Sequence, residues 1–189
     1  MDPVQVSKSN GTSWQTVDSL KTLPAEAGPR GWLEDGGSLT RRLRRLGGHG
    51  FRLRVLTEGW ESATDEDILM LESDSGRVRV RRVRLAADGV ELVFACTRMP
   101  PETLARHPWL ARLGDKPLGE ALADRTDVRR TPFEFARLSP GQILLEDALR
   151  GTDMAPESLW GRRSRFLIGD HPILVYEVFL PGLAGFGDA

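Results

Sequence analysis

Two hairpin signatures constrain the fold of this 189-residue chain more than any other feature. Residues 77–86 and 90–97 are β-rich runs joined around Asp88-Gly89, a dipeptide suited to the positive-φ positions of a two-residue hairpin turn. Residues 163–168 and 173–180 flank Gly169-Asp170-His171-Pro172, and Pro181 stops the second run. Strands joined this tightly must run antiparallel, because a parallel pair needs a crossover of a dozen residues or more. Residues 51–55 alternate strictly and Phe133-Glu134-Phe135-Ala136 is a shorter run, so both read as further strands. Helical spacing appears between them. Ser38 is placed to cap a helix in which Leu39, Leu43 and Leu46 share a face, with Gly47-Gly48 as its stop. Residues 102–113 read as a helix bent or split at Pro108, and 118–123 and 142–149 as short helices. Residues 64–67 read as an acidic connection. Helices inserted between hairpins predict an α+β domain on a single antiparallel β-sheet. Residues 1–30 are expected to be a loosely ordered arm and 31–189 one domain.

Composition removes several classes. With 40% hydrophobic residues and no apolar run near the roughly 20 residues of a membrane span, neither a disordered chain nor a spanning protein is expected. Residues 1–19 lack an apolar signal core, so a cytoplasmic location is expected. The lone Cys96 excludes an intrachain disulfide framework and reads as a buried structural thiol. His49, His107 and His171 are scattered and read as structural or exposed, so no metal site is expected. The basic residues are unbalanced: only Lys8, Lys21 and Lys116 are lysines, against 23 arginines. Arginine is suited to planar, bidentate binding of carboxylate and phosphate, so its placement matters.

Two charges interrupt apolar strands. Within 77–85, Val78 and Val80 share one strand face while Arg81 shares the other with Val83 and Leu85. The change of apolar phase suggests a bulge, and it points Arg81 inward. Glu177 is flanked on its own face by Val175 and Phe179, where a bare carboxylate would cost several kcal/mol. These charges either pair, with each other or with others, or stand at opposite ends of a pocket suited to a small ring bearing an acid and a hydroxyl. The strand pattern leaves both open.

The segment Leu159-Trp160-Gly161-Arg162-Arg163-Ser164, followed by Glu177-Val178-Phe179-Leu180-Pro181, resembles the end of bacterial chorismate pyruvate-lyases. Three further blocks resemble the same family in order: Trp32-Leu33-Glu34-Asp35 with Ser38-Leu39-Thr40, Arg81 with Ala87-Asp88-Gly89, and Leu113-Gly114 with Pro117-Leu118-Gly119. The resemblance implies conversion of chorismate to 4-hydroxybenzoate and pyruvate, the first step toward ubiquinone, by a monomeric enzyme that needs no cofactor. It also implies that Arg81 grips the ring carboxylate and that Glu177 meets the hydroxyl end. The fold it implies has flanking helices closing over a buried pocket, which Leu118 and Leu39 would line and shut. Three departures are visible: Gly36-Gly37 lengthens the step from Asp35 to Ser38, Cys96 stands where an arginine is usual, and 138–158 is longer than in compact members.

Two other readings compete. Effector domains of some bacterial transcription regulators share the lyase fold and bind metabolites without reacting them, but they follow a winged helix that residues 1–31 are too short to supply. A nucleic-acid binder is suggested by Arg41-Arg42, Arg44-Arg45 and the arginines of 77–84. The net charge of −1 and the lack of interleaved aromatics favour a solvated helix face and sheet surface instead. Arg162 and Arg163 are expected in surface ion pairs beside Trp160 at a sheet edge. Of the 23 arginines, only Arg81 is then expected to touch substrate.

Overall fold

The computed structural model describes residues 11–16, 18 and 30–186. Its strands are β1 (Gln15–Thr16), β2 (Arg52–Ser62), β3 (Arg77–Ala87), β4 (Val90–Met99), β5 (Val128–Arg130), β6 (Glu134–Leu138), β7 (Leu159–Ile168) and β8 (His171–Phe179). They form one sheet in the order β1-β6-β7-β8-β4-β3-β2, with β5 also pairing β7. Every pairing is antiparallel. The two predicted hairpins are β3–β4 and β7–β8, with Asp88 and Gly89 both at positive φ in the first turn. Most of the expected arm lies outside the described residues. The part that is described adds β1 to the sheet edge and packs Trp14 on Tyr176, ring centroids 5.7 Å apart.

The change of apolar phase in β3 is not a bulge in that strand. From Arg79 to Leu85 its pairing with β4 is unbroken, and the irregularity lies across from it in β2, between Val55 and Thr57. The phase changes because both faces are covered. Val78 and Val80 join Phe94, Cys96, Tyr176 and Val178 in a core against α3 (Asp65–Leu71) and α6 (Ile143–Leu149). Val83 and Leu85 join Val93 and Phe179 on the opposite face, against α1 (Arg30–Leu33) and α2 (Leu39–Gly47). A third cluster continues that second face around Met99, Ile173 and Val175, packed against Leu122 of α5 (Leu118–Ala123).

Local signals account for the helices. Ser38 accepts a hydrogen bond from the Arg41 amide, Leu39 and Leu43 are buried, and Gly48 turns the chain at φ 47°. Gly47 lies so close to Ala87 of β3 that any side chain there would overlap it, which holds α2 tight against the sheet. The expected helix over 102–113 divides into α4 (Pro101–Arg106) and a 3-10 turn from Pro108 to Arg112, as Pro108 requires. The acidic connection at 64–67 is instead the start of α3. Thr64 and Asp67 form a reciprocal capping box, and Asp67 is only 1% exposed because its carboxylate receives Arg98 Nη2 at 2.7 Å.

Candidate active site

Between the α2–α5 side of the sheet and those two helices lies a cavity of about 500 Å³. Period-two alternation supplies its floor: Arg81, Val83 and Leu85 from β3, Ala95 and Thr97 from β4, Val175 and Glu177 from β8. Leu39 of α2 and Leu118 of α5 roof it, so all four residues expected at the site do line one cavity. Gly119 follows Leu118 without a side chain where α5 approaches Thr40, whose Oγ1 a Cβ would meet at 3.3 Å. Outside the roof, Arg41 pairs with Asp124 and Arg44 with Glu120, joining α2 to α5.

Register places the two charges. Arg81 sits opposite Thr97, which sits opposite Val175; two residues along, Ala95 sits opposite Glu177. Two strand spacings and a two-residue offset put their Cα atoms roughly 12 Å apart, with both side chains projecting into the same space. They do not pair with each other. Arg81 is 2% exposed and donates from Nη2 to the Gly114 carbonyl at 2.7 Å and the Lys116 carbonyl at 3.4 Å. Its Nη1 is buried without any hydrogen-bond partner among the described residues. Burial holds this guanidinium below the usual arginine range, against the weaker opposing pull of Glu58 and Asp115.

Glu177 is compensated by a residue expected to lie at the surface. Arg162, 1% exposed, donates from Nε to Glu177 Oε2 at 2.5 Å. Its Nη1 donates to the carbonyls of Trp32, Leu33 and Asp35 at 2.9, 3.1 and 2.9 Å. The ion pair therefore fixes the carboxylate and ties it to the segment leading into α2. Glu177 Oε1 accepts nothing from the described residues, and the side chain keeps 18% of its surface on the cavity. Arg163 is also buried, on the other face, between Glu134 and Glu66. The expectation of surface ion pairs for Arg162 and Arg163 is thus wrong, and β7 is an internal strand rather than an edge. A signal for this is present in the sequence. A strand begun at Arg163 leaves Arg162 outside it, whereas β7 starts at Leu159 and its register sets Arg162 directly opposite Glu177.

Arg77 of β3 is exposed as a solvated surface residue, but Arg82 and Arg84 are not. Arg82 bridges Glu61 and Asp147, and Arg84, buried, contacts Glu91 and the carbonyls of Ala148 and Arg150. Through these contacts α6 is held against the sheet. Cys96 is buried as expected, and burial pushes its thiol up to about 11. His107 and His171 approach within 3.3 Å of each other at the β7–β8 turn, away from the cavity. Among the described residues no three His, Cys, Asp or Glu side chains are grouped so as to share a metal ion, and no helix is long and apolar enough to cross a membrane.

Comparison with known proteins agrees with this architecture. The C-terminal domain of the histidine utilization repressor from Pseudomonas syringae superposes with a TM-score of 0.51 at 18% identity, covering 70% of this chain and 92% of that one. A GntR-family transcriptional regulator from Bacillus cereus gives 0.51 at 12% identity, covering 70% and 92%. At those identities the likeness is one of fold. Sequence relatives are more specific. A protein of Thiobacillus denitrificans named "Probable chorismate pyruvate-lyase" is 41% identical over 157 residues, 82% of this chain and 83% of its own. One of the same name from Pseudomonas aeruginosa is 36% identical over 180 residues, covering 93% and 96%. The sequence model for chorismate lyase matches residues 8–184, and the chain belongs to the chorismate lyase family.

Proposed function

We propose that this protein converts chorismate to 4-hydroxybenzoate and pyruvate, with Arg81 and Glu177 as the groups that hold the ring. The observation that carries the reading is that one cavity is lined by Arg81, whose buried Nη1 has no partner among the described residues, and by Glu177, whose Oε1 accepts nothing from them. A buried donor without a partner is costly, and a ligand carboxylate would satisfy it with a charge-assisted bond. Leu39, Leu118, Val83 and Val175 supply apolar contact for a ring between the two charges.

The reaction needs orientation more than activation. Loss of the C4 hydrogen as a proton and cleavage of the C3–O bond make the ring aromatic, and the released enolpyruvate takes up a proton to become pyruvate. Arg81 binds the ring carboxylate, and Glu177, immobilised by Arg162, holds the C4 hydroxyl. The C4 proton passes either to Glu177 or directly to the methylene of the departing enolpyruvyl group. Chorismate deuterated at C4 separates the routes, because direct transfer must retain the label in the pyruvate methyl group whereas a deuteron held by Glu177 can exchange with solvent before the enolpyruvate is protonated. The product feeds ubiquinone synthesis, and the enzyme works as a cytoplasmic monomer without a cofactor.

The test is incubation of purified protein with chorismate, following pyruvate and 4-hydroxybenzoate. Glu177→Gln keeps an acceptor for Arg162 and is expected to slow turnover by about 10²–10⁴-fold. Wild-type turnover in both Arg81→Ala and Glu177→Gln would refute the assignment. Tight product binding with no turnover in the wild type would make the protein a metabolite sensor.

A further inference from the structure

Five arginines line the cavity: Arg41, Arg81, Arg125, Arg130 and Arg162. Three are already matched to carboxylates, Arg41 to Asp124, Arg125 to Asp127 and Arg162 to Glu177. Among the described residues, Arg81 and Arg130 are matched to none. If the cavity takes chorismate, it takes two carboxylates, one on the ring and one on the enolpyruvyl arm at C3. We infer that Arg130 binds the carboxylate of that arm, an assignment that rests on the lyase reading above.

Geometry puts Arg130 at the correct end. Strand β5 turns Val128 and Arg130 toward the cavity and sends Arg129 outward to Asp170. Arg130 pairs in register with Phe166, two residues along β7 from Ser164 and four from Arg162, on the same face as the Glu177 partner. The charges of Arg162 and Glu177 both reach it. C3 adjoins C4 on the ring, so a substrate whose C4 hydroxyl meets Glu177 carries its enolpyruvyl arm into this corner. Two contacts hold the guanidinium in place. It lies 4.1 Å above the Phe133 ring, and its Nη2 donates to the Gly36 carbonyl at 2.7 Å. Its other N–H groups have no acceptor among the described residues. Burial and the neighbouring Arg162 both push Arg130 below the usual arginine range, a penalty that an arriving carboxylate relieves.

The opposing possibility is that Arg130 only braces the Gly36-Gly37 loop. Ligand selectivity separates the two, because 4-hydroxybenzoate has no second carboxylate whereas 3-(carboxymethoxy)-4-hydroxybenzoate carries one at the position of the enolpyruvyl arm. With full-length protein, Arg130→Ala is expected to weaken the dicarboxylate and raise the chorismate KM by roughly 10- to 100-fold, the worth of one charge-assisted pair. Calorimetry should find 4-hydroxybenzoate affinity essentially unchanged. Arg130→Lys, which keeps the charge but not the fork, is expected to fall between and serves alone if the alanine variant does not fold. Equal weakening of both acids, or no weakening of either, overturns the inference. A wild type that prefers the dicarboxylate through Arg130 yet never turns over chorismate refutes the lyase reading and keeps this assignment; one that binds neither acid ends both.

Discussion

The two faces of the sheet differ in whether their buried arginines are all matched to carboxylates. On the α3–α6 face, Arg82, Arg84, Arg98 and Arg163 all meet carboxylates: Glu61 and Asp147, Glu91, Asp67, and Glu66 with Glu134. On the cavity face, Arg81 donates to backbone carbonyls and its Nη1 has no partner among the described residues, while Arg130 donates to the Gly36 carbonyl and lies over Phe133. Both faces use the same residue type on the same sheet; the difference is that Arg81 and Arg130 have no carboxylate partner among the described residues. An internally matched arginine serves the fold, and the proposed substrate contacts of Arg81 and Arg130 would supply the carboxylates that the described residues do not. Arg162 stands between the classes, matched to the one carboxylate on the cavity.

The sharpest break of this contrast is at Arg162. Arg162→Met leaves Glu177 uncompensated and three carbonyls without their donor, so a stability loss of about 3–5 kcal/mol is expected in urea unfolding. Arg98→Met should cost about the same, because Asp67 would remain buried and unpaired. Arg81→Met strands no carboxylate, so its unfolding free energy should stay within about 1 kcal/mol of wild type while turnover falls by at least about 100-fold. A large stability loss at Arg81 would mean that it too serves the fold.

A smaller effect tests the α3–α6 face through pH. Burial raises the Cys96 thiol to about 11 in the folded state. A raised acid pKa gives stability that is complete below the ordinary thiol range and is lost as pH climbs toward the folded value, because the unfolded chain ionises first. Stability should therefore fall between about pH 9 and 11 by roughly 2–3 kcal/mol more in wild type than in Cys96→Val. Parallel pH profiles for the two proteins would show that the thiol is not sealed in the core.

The hairpins are legible in the sequence because each is local: Asp88-Gly89 and Gly169-Asp170 fix a turn, and alternation does the rest. Arg81 and Glu177 are legible too, because a charge in phase with apolar neighbours is visible without knowing what covers the strand. What escapes depends on pairing. Arg162 matters through its register with Glu177, fifteen residues away, and β5 is a three-residue strand with no periodicity to betray Arg130. The phase change in β3 reads as a bulge only when one covered face is assumed, and α6 and α3 cover the second. At 64–67, Asp67 in place of the usual Glu or Gln conceals a capping box behind an ordinary acidic run.

The weakest expected effect lies on the roof. Arg44–Glu120 and Arg41–Asp124 join α2 to α5 across the cavity mouth, and both pairs are substantially exposed. Exposed pairs contribute under about 1 kcal/mol and are screened by salt, so Arg44→Ala with Glu120→Ala should show a small coupling energy that fades at high ionic strength. Their consequence should be kinetic. Gly119 packs against Thr40 where the helices meet, so for a ligand that leaves between α2 and α5 each pair opposes the parting of the helices. Stopped-flow displacement of 4-hydroxybenzoate should then be a few-fold faster in either single variant and in wild type at high salt. Unchanged exit rates would place the route out of the cavity elsewhere, at the Gly36-Gly37 loop that Arg130 holds.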